Sequence, residues 1–232
     1  MYALIQQPLA STRHEATLAY QVRRSARARR VRVVVDRSGT VEVVLPQRCA
    51  AHAADDAVQE LRPWIERRLA EVERQRASVL ARGDTVPYLG SSLTLHPESG
   101  RALVTRRGDT LLVPIGPQRT PALERWYRRM ARAEFSARVE RACELTGLQH
   151  TRLTIRDQRT RWGSCSRSGG LSFNWRLLLA PEAVLNYVVW HEVCHLAVMD
   201  HSPRFWALVQ RHCPDHREQA LWLRRNAGTL VL

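Results

Sequence analysis

Residues 190–206 read WHEVCHLAVMDHSPRFW, and the reading of this stretch decides the fold of everything around it. Three histidines and one glutamate fall within eleven residues of it, among the apolar Val193, Leu196, Val198 and Met199. His191, Glu192, Val193, Cys194 and His195 form the pattern H-E-x-x-H. Pro181 suits the first turn of a helix, and Val188, Val189 and Leu196 give that helix an apolar surround to about Val198. Side chains at i and i+4 share a helical face, with Cβ atoms about 5–6 Å apart. Two imidazoles so placed can bind one Zn²⁺ at about 2.0–2.1 Å each. Glu192, beside the first, can accept a proton from activated water. Histidines on an apolar face are more often satisfied core residues. Burying these groups without a common partner would cost several kcal/mol, however, and a metal satisfies them all.

A catalytic zinc site needs a third protein ligand and keeps its fourth position open. His201 is the best candidate, because the chain can fold back after the helix and present it. Asp200 is the alternative, as a ligand or as a carboxylate that orients an imidazole. His212 and His216 fall on or near later helices and read as surface or structural residues. The His191–His195–His201 spacing is also that of metzincins, which place Gly where Val198 stands. A β-branched residue resists φ > 0, and no Met follows Met199 to make a Met-turn. The metzincin assignment is rejected.

The chain of 232 residues suits one large domain or two small ones. Apolar residues make up 44% and charged residues 25%, an ordinary globular composition. No apolar run reaches transmembrane length, and the N-terminus lacks a signal-peptide pattern. The expectation is a soluble, cytoplasmic protein without membrane contact. Five scattered cysteines with no C-x-x-C pair argue for reduced thiols rather than a disulfide scaffold. All 36 basic residues are Arg, and the net charge is +14. Such a balance favours contact with nucleic acid or nucleotides. It also fits coding bias, since the arginines are spread along the whole chain and many only solvate a helix face.

Residues 30–45 read as a hairpin with a Ser38-Gly39 turn. Residues 54–75 read as an amphipathic helix with Leu61, Ile65 and Leu69 on one side. Short strands are expected at 93–96, 101–105 and 110–114. Thr120 and Pro121 open a helix that Gly147 stops. Strands follow at 153–159 and 171–179, separated by the loop 161–166 and a turn at 167–170. The Pro181 helix comes next, and Ser202-Pro203 and Pro214 open two more. The expected organisation is α+β: an N-terminal α+β domain of residues 1–118 with no catalytic constellation, and a catalytic domain of residues 119–232.

Several of these pieces resemble one known group. Arg161-Trp162-Gly163-Ser164-Cys165-Ser166, Leu171-Ser172-Phe173-Asn174-Trp175-Arg176-Leu177, Ala180-Pro181, His191 to Leu196, and His201-Ser202-x-x-Phe205-Trp206 are together similar to the YgjP-like metallopeptidases. These are bacterial zincins related to the SprT-like and WLM groups. The resemblance implies a compact, minimal gluzincin-type, zincin-like catalytic domain with Zn²⁺ as cofactor. His191, His195 and His201 would be its ligands, Glu192 the base, and a peptide or protein the substrate. It also implies that residues 171–175 are the sheet's edge strand beside the cleft, with Asn174 a substrate contact. Arg161 is a second candidate contact, suited to a carboxylate or phosphate. Trp162 reads as packing, Gly163 as the residue of a turn, and Cys194 and the helical tryptophans 126, 190, 206 and 222 as core. Two rivals stand beside the peptidase reading: a metal-dependent hydrolase of nucleotide phosphoanhydrides, and a nucleic-acid-associated protein with a structural zinc.

Overall fold

The computed structural model describes residues 18–36, 38–158 and 161–232. By contacts the chain divides into two units, one ending at Glu73 and one spanning Arg74–Leu232. In the first, β1 (Gln21–Ser25), β2 (Arg32–Val35) and β3 (Val41–Pro46) form a sheet of order β1-β3-β2. The hairpin is as expected. Its turn is closed by Asp36, whose Oδ1 accepts from the backbone N–H groups of Ser38 and Thr40 at 2.8 and 2.9 Å. Strand β1, with its polar sequence QVRRS, carries no apolar alternation and adds parallel to β3.

Helix α1 (Ala53–Leu80) covers this sheet. Its buried stripe is Ala54, Val58, Ile65 and Val72, packed with Val35, Val41, Val43 and Leu45. That differs from the expected face. Leu61 is 37% exposed, because the Val58–Ile65–Val72 spacing of seven selects a narrower seam than the Leu61–Leu69 stripe.

The second unit begins with β4 (Thr85–Tyr88), β5 (Ser91–Glu98), β6 (Thr105–Arg107) and β7 (Thr110–Pro114), ordered β4-β5-β7-β6. Helix α2 (Arg119–Thr146) follows a single 3₁₀ turn. It starts one residue before Thr120, with no side-chain cap, and stops at Gly147 in the left-handed region, φ 70°. Next come β8 (Arg152–Arg156), β9 (Gly163–Cys165) and β10 (Gly170–Asn174). The expected strand 171–179 is thus cut at Asn174, and Trp175–Leu179 is a 3₁₀ helix. Three helices complete the unit: α3 (Glu182–Cys194), α4 (Pro203–His212) and α5 (His216–Asn226).

One apolar cluster holds these elements together. It joins Val86, Leu93 and Val113 of the four-stranded sheet to Trp126 and Phe135 of α2, Phe173 of β10 and Val188 of α3. Phe135 and Phe173 stack with ring centroids 4.5 Å apart. β4–β7 thus share a core with α2, within the unit that begins at Arg74. No helix among the described residues is long and apolar enough to cross a membrane. All five cysteines are free thiols.

Candidate active site

Helix α3 buries Val184, Leu185, Val188, Val189 and Val193 in the core. It is tied to α2 by Arg138, whose guanidinium donates to Asn186 Oδ1 at 2.8 Å and to Glu182 Oε1 at 2.6 Å. Asn186, the polar break in the apolar run, is thereby satisfied. The helix ends at Cys194, four residues before the expected Val198, and His195 is its C-cap with φ −67° and ψ −18°. The chain then turns through bonds from Leu196 N–H to Val193 O and from Ala197 and Val198 N–H to Cys194 O. No residue of this turn has a positive φ. Val198 is compatible with it, and the turn differs from the glycine-dependent one of metzincins.

His201 follows, just before Ser202-Pro203 starts α4. Asp200 accepts from Ser202 N–H at 3.1 Å and so closes the entry to that helix. The histidine cluster consists of His191, His195 and His201, whose ligating nitrogens all lie within 4.8 Å of one another. His191 Nε2 is 3.3 Å from His195 Nε2 and 3.1 Å from His201 Nε2.

These contacts test the fit to a metal. His195 Nδ1–H donates to Val198 O at 3.0 Å, which leaves its Nε2 as a lone pair aimed at His191. Burial, reinforced by His195 and His201, pushes His191 down to about 3. Burial lowers His195 as well. A cation lying among these nitrogens would accept a lone pair from each neutral imidazole. Nitrogens bound tetrahedrally at 2.0–2.1 Å stand ~3.3 Å apart, close to the two Nε2 separations here. The donor set fits a metal ion that accepts imidazole nitrogen.

Phe205, fully buried, stacks on His195 at 4.3 Å between centroids and meets His191 edge-on at 5.0 Å. Its position four residues after His201 on the α4 side was a signal in the sequence that periodicity alone did not decode. Trp206 departs from the expected core role. It is 36% exposed and lies against both His201 and His216 at 5.6 Å between centroids. His216 is buried and donates Nδ1–H to Cys213 O, and His212 stacks on Trp190.

Glu192 is 5% exposed. Its burial raises the carboxyl to about 8, and the positive charge of Arg161 opposes the rise. Gly163 shows why this carboxylate fits. A Cβ at 163 would sit 2.5 Å from Glu192 Oε1 and 2.6 Å from its Cγ. The φ of Gly163 is not positive. The glycine therefore opens β9 as a place of close approach, rather than supplying a turn.

The sheet beside the site has order β8-β10-β9. Residues 171–175 are not its edge: β10 is the central strand, parallel to β8 and antiparallel to β9. The edge strand nearest the site is β9, which packs against α3. Leu171 and Phe173 are buried in the core on one face of β10, and Ser172 between them is half-buried. Asn174 closes β10. It is 1% exposed, its amide donates to Gln158 O at 2.8 Å and to Arg161 O, and its Oδ1 accepts from Arg176 N–H. It clamps Gln158 and Arg161 ahead of β9.

Arg161 is exposed two residues before that strand, within electrostatic reach of Glu192. Trp162 packs against the core and its carbonyl accepts from Asn174 N–H at 2.8 Å. Cys165 is held up at about 11 by burial and by the charge of Glu192, so it is a neutral thiol. Cys194 is buried, as expected.

A family comparison matches residues 29–226 to the YgjP-like metallopeptidase domain. The chain belongs to the YgjP-like metallopeptidase family. At the level of that family it is a metal-dependent peptidase, and the histidine cluster lies inside the matched region. No curated protein matches the chain. Among solved structures, the metallopeptidase zymogen abylysin of Pyrococcus abyssi is similar at 22% identity, over 40% of this chain and 97% of that one, with a TM-score of 0.35.

Proposed function

We propose that the chain is a zinc-dependent peptidase in which His191, His195 and His201 hold the metal and Glu192 is the general base. The observation that carries this is the convergence of three imidazole nitrogens beside a buried carboxylate. Zinc bound by such ligands supplies Lewis acidity toward a carbonyl and acidifies water to a pKa of about 7. Glu192 takes the proton from the attacking water and later delivers it to the leaving amine, which separates as a neutral group. The low-dielectric setting against Gly163 keeps the proton-carrying form of Glu192 accessible near neutral pH.

The unpaired side of β9 offers backbone N–H and C=O groups to an extended peptide by strand addition. Arg161, exposed two residues before β9, adds a donor for a carboxylate on that peptide. The site lies in a chain of net charge +14, which favours acidic protein substrates and leaves contact with nucleic acid open to a direct binding measurement.

The test is a comparison of wild type with Glu192→Gln, each with its metal content measured. Peptide hydrolysis lost in a variant that keeps its metal supports the assignment. Hydrolysis that persists in that variant removes Glu192 from the role of base. Nucleoside triphosphates belong in the same assay. Phosphate release without peptide cleavage would move the assignment to phosphoanhydride chemistry.

A further inference from the structure

Beside the histidine cluster the second unit contains a cleft of about 640 Å³ between α4 and α5. Trp206 and Gln210 line it from α4, and His216, Arg217 and Arg224 from α5. Ala207 and Ala220 keep it open, since neither projects beyond a methyl group. Residues 216, 220 and 224 recur at helical spacing, so the cleft is the work of one face of α5. Trp206 is the wall it shares with the site: the same indole lies 5.6 Å from the ring of His201 and lines the cleft. A peptide held at the histidines needs only one or two residues, at about 3.3 Å each, to reach it.

The charge in this cleft is one-sided. Arg217 and Arg224 are exposed and have no carboxylate partner among the described residues, unlike Arg138, which is bound to Glu134 and Glu182. No acidic side chain lines the cleft. Guanidinium groups bind carboxylates in a planar, two-pronged fashion. The indole and the two alanines suit the methylene stem that carries such a group.

We infer that this cleft is a substrate subsite that selects a carboxylate next to the scissile bond, either the side chain of Asp or Glu or the free C-terminus of the peptide. The inference rests on the peptidase reading above and names its substrate class. Arg217 and Arg224 bind the carboxylate, and Trp206 supports the chain segment that leads from the metal-binding histidines into the cleft.

The experiment uses the full chain with Glu192→Gln, to suppress turnover, and three acetylated peptides that differ in one group. One carries Glu with an amidated C-terminus, one carries Gln with a free C-terminus, and one carries Gln with an amidated C-terminus. Binding is followed by calorimetry. At least one carboxylate peptide is expected to bind about tenfold or more tightly than the neutral one, a ratio set by charge-assisted hydrogen bonds. The peptide that gains identifies the source of the carboxylate. The preference should vanish in Arg217→Gln/Arg224→Gln and return in part in Arg217→Lys/Arg224→Lys, which keeps the charge; both folds are checked by thermal melting. Equal binding of all three peptides overturns the inference, as does a preference that survives in the double Gln variant. A separate assay of wild type on the same peptides keeps the two claims apart. Carboxylate-selective binding without cleavage of any peptide overturns the peptidase reading alone.

Discussion

Two regions build the site by different means. The histidine cluster is local: His191 and His195 lie one helical turn apart at the end of α3, and His201 follows before α4. The wall opposite is distant in sequence and assembled by pairing. Gly163 opens β9, β9 is held by β10, and Asn174 at the end of β10 clamps the segment leading into it. In the proposed mechanism the cluster sets whether a metal binds, and the wall sets where the base and the substrate lie. Substitutions in the two regions should separate, with the first abolishing metal and the second sparing it.

The largest expected effect joins the two. Glu192 stands beside His191 in sequence yet lies against Gly163 of the wall in space. Glu192→Gln should lower kcat by about 10²–10⁴-fold with metal content intact. Loss of metal in this variant would break the comparison, because it would make the carboxylate part of the cluster.

Gly163→Ala comes next. Its Cβ overlaps the Glu192 carboxylate, and the sheet holds the backbone, so the side chain of Glu192 must move. A drop of about 10–100-fold in kcat is expected, with metal content unchanged, since a misplacement near 1 Å carries a penalty of that size. Unaltered kinetics would show that the wall does not position the base.

Asn174→Ala acts on the wall from farther away. It leaves the carbonyls of Gln158 and Arg161 without their donor and should lower stability by about 1–3 kcal/mol. For a protein of this size the melting temperature should fall by about 2–4 °C per kcal/mol. An unchanged melting curve would show that the clamp is not structural. The smallest effect belongs to Cys165→Ser on β9. Its thiol is neutral and serves no chemistry in this account, so kcat should stay within about twofold of wild type. A large loss would give that sulfur a role that the proposed mechanism does not assign to it.

The same contrast explains what the sequence made legible. Helix periodicity alone puts His191 and His195 on one face, and Gly147 marks the end of α2. His201 could be chosen because a helix must stop and restart around it, at Ser202-Pro203. The sheet was another matter. Residues 171–175 look the same in sequence whether β10 is an edge or a centre, because strand order depends on β9 and β8, which lie on either side of it in space. Gly163 read as a turn residue, since a sequence does not show that a buried glutamate almost thirty residues later packs against it. The boundary expected at 118/119 followed a change of texture at Thr120-Pro121, whereas the contacts follow the shared core of β4–β7 and α2. The exposure of Trp206 depended on the crossing of α4 and α5, which no local pattern contains.

The measurement that bears most directly on the central claim is the metal content of the purified full chain, by mass spectrometry of the metal, for wild type and His201→Ala after identical dialysis. The account predicts one zinc ion per chain in wild type and a marked loss from the variant, with both proteins folded. Wild type without bound metal, or a variant that holds it as firmly as wild type, would contradict the three-histidine site.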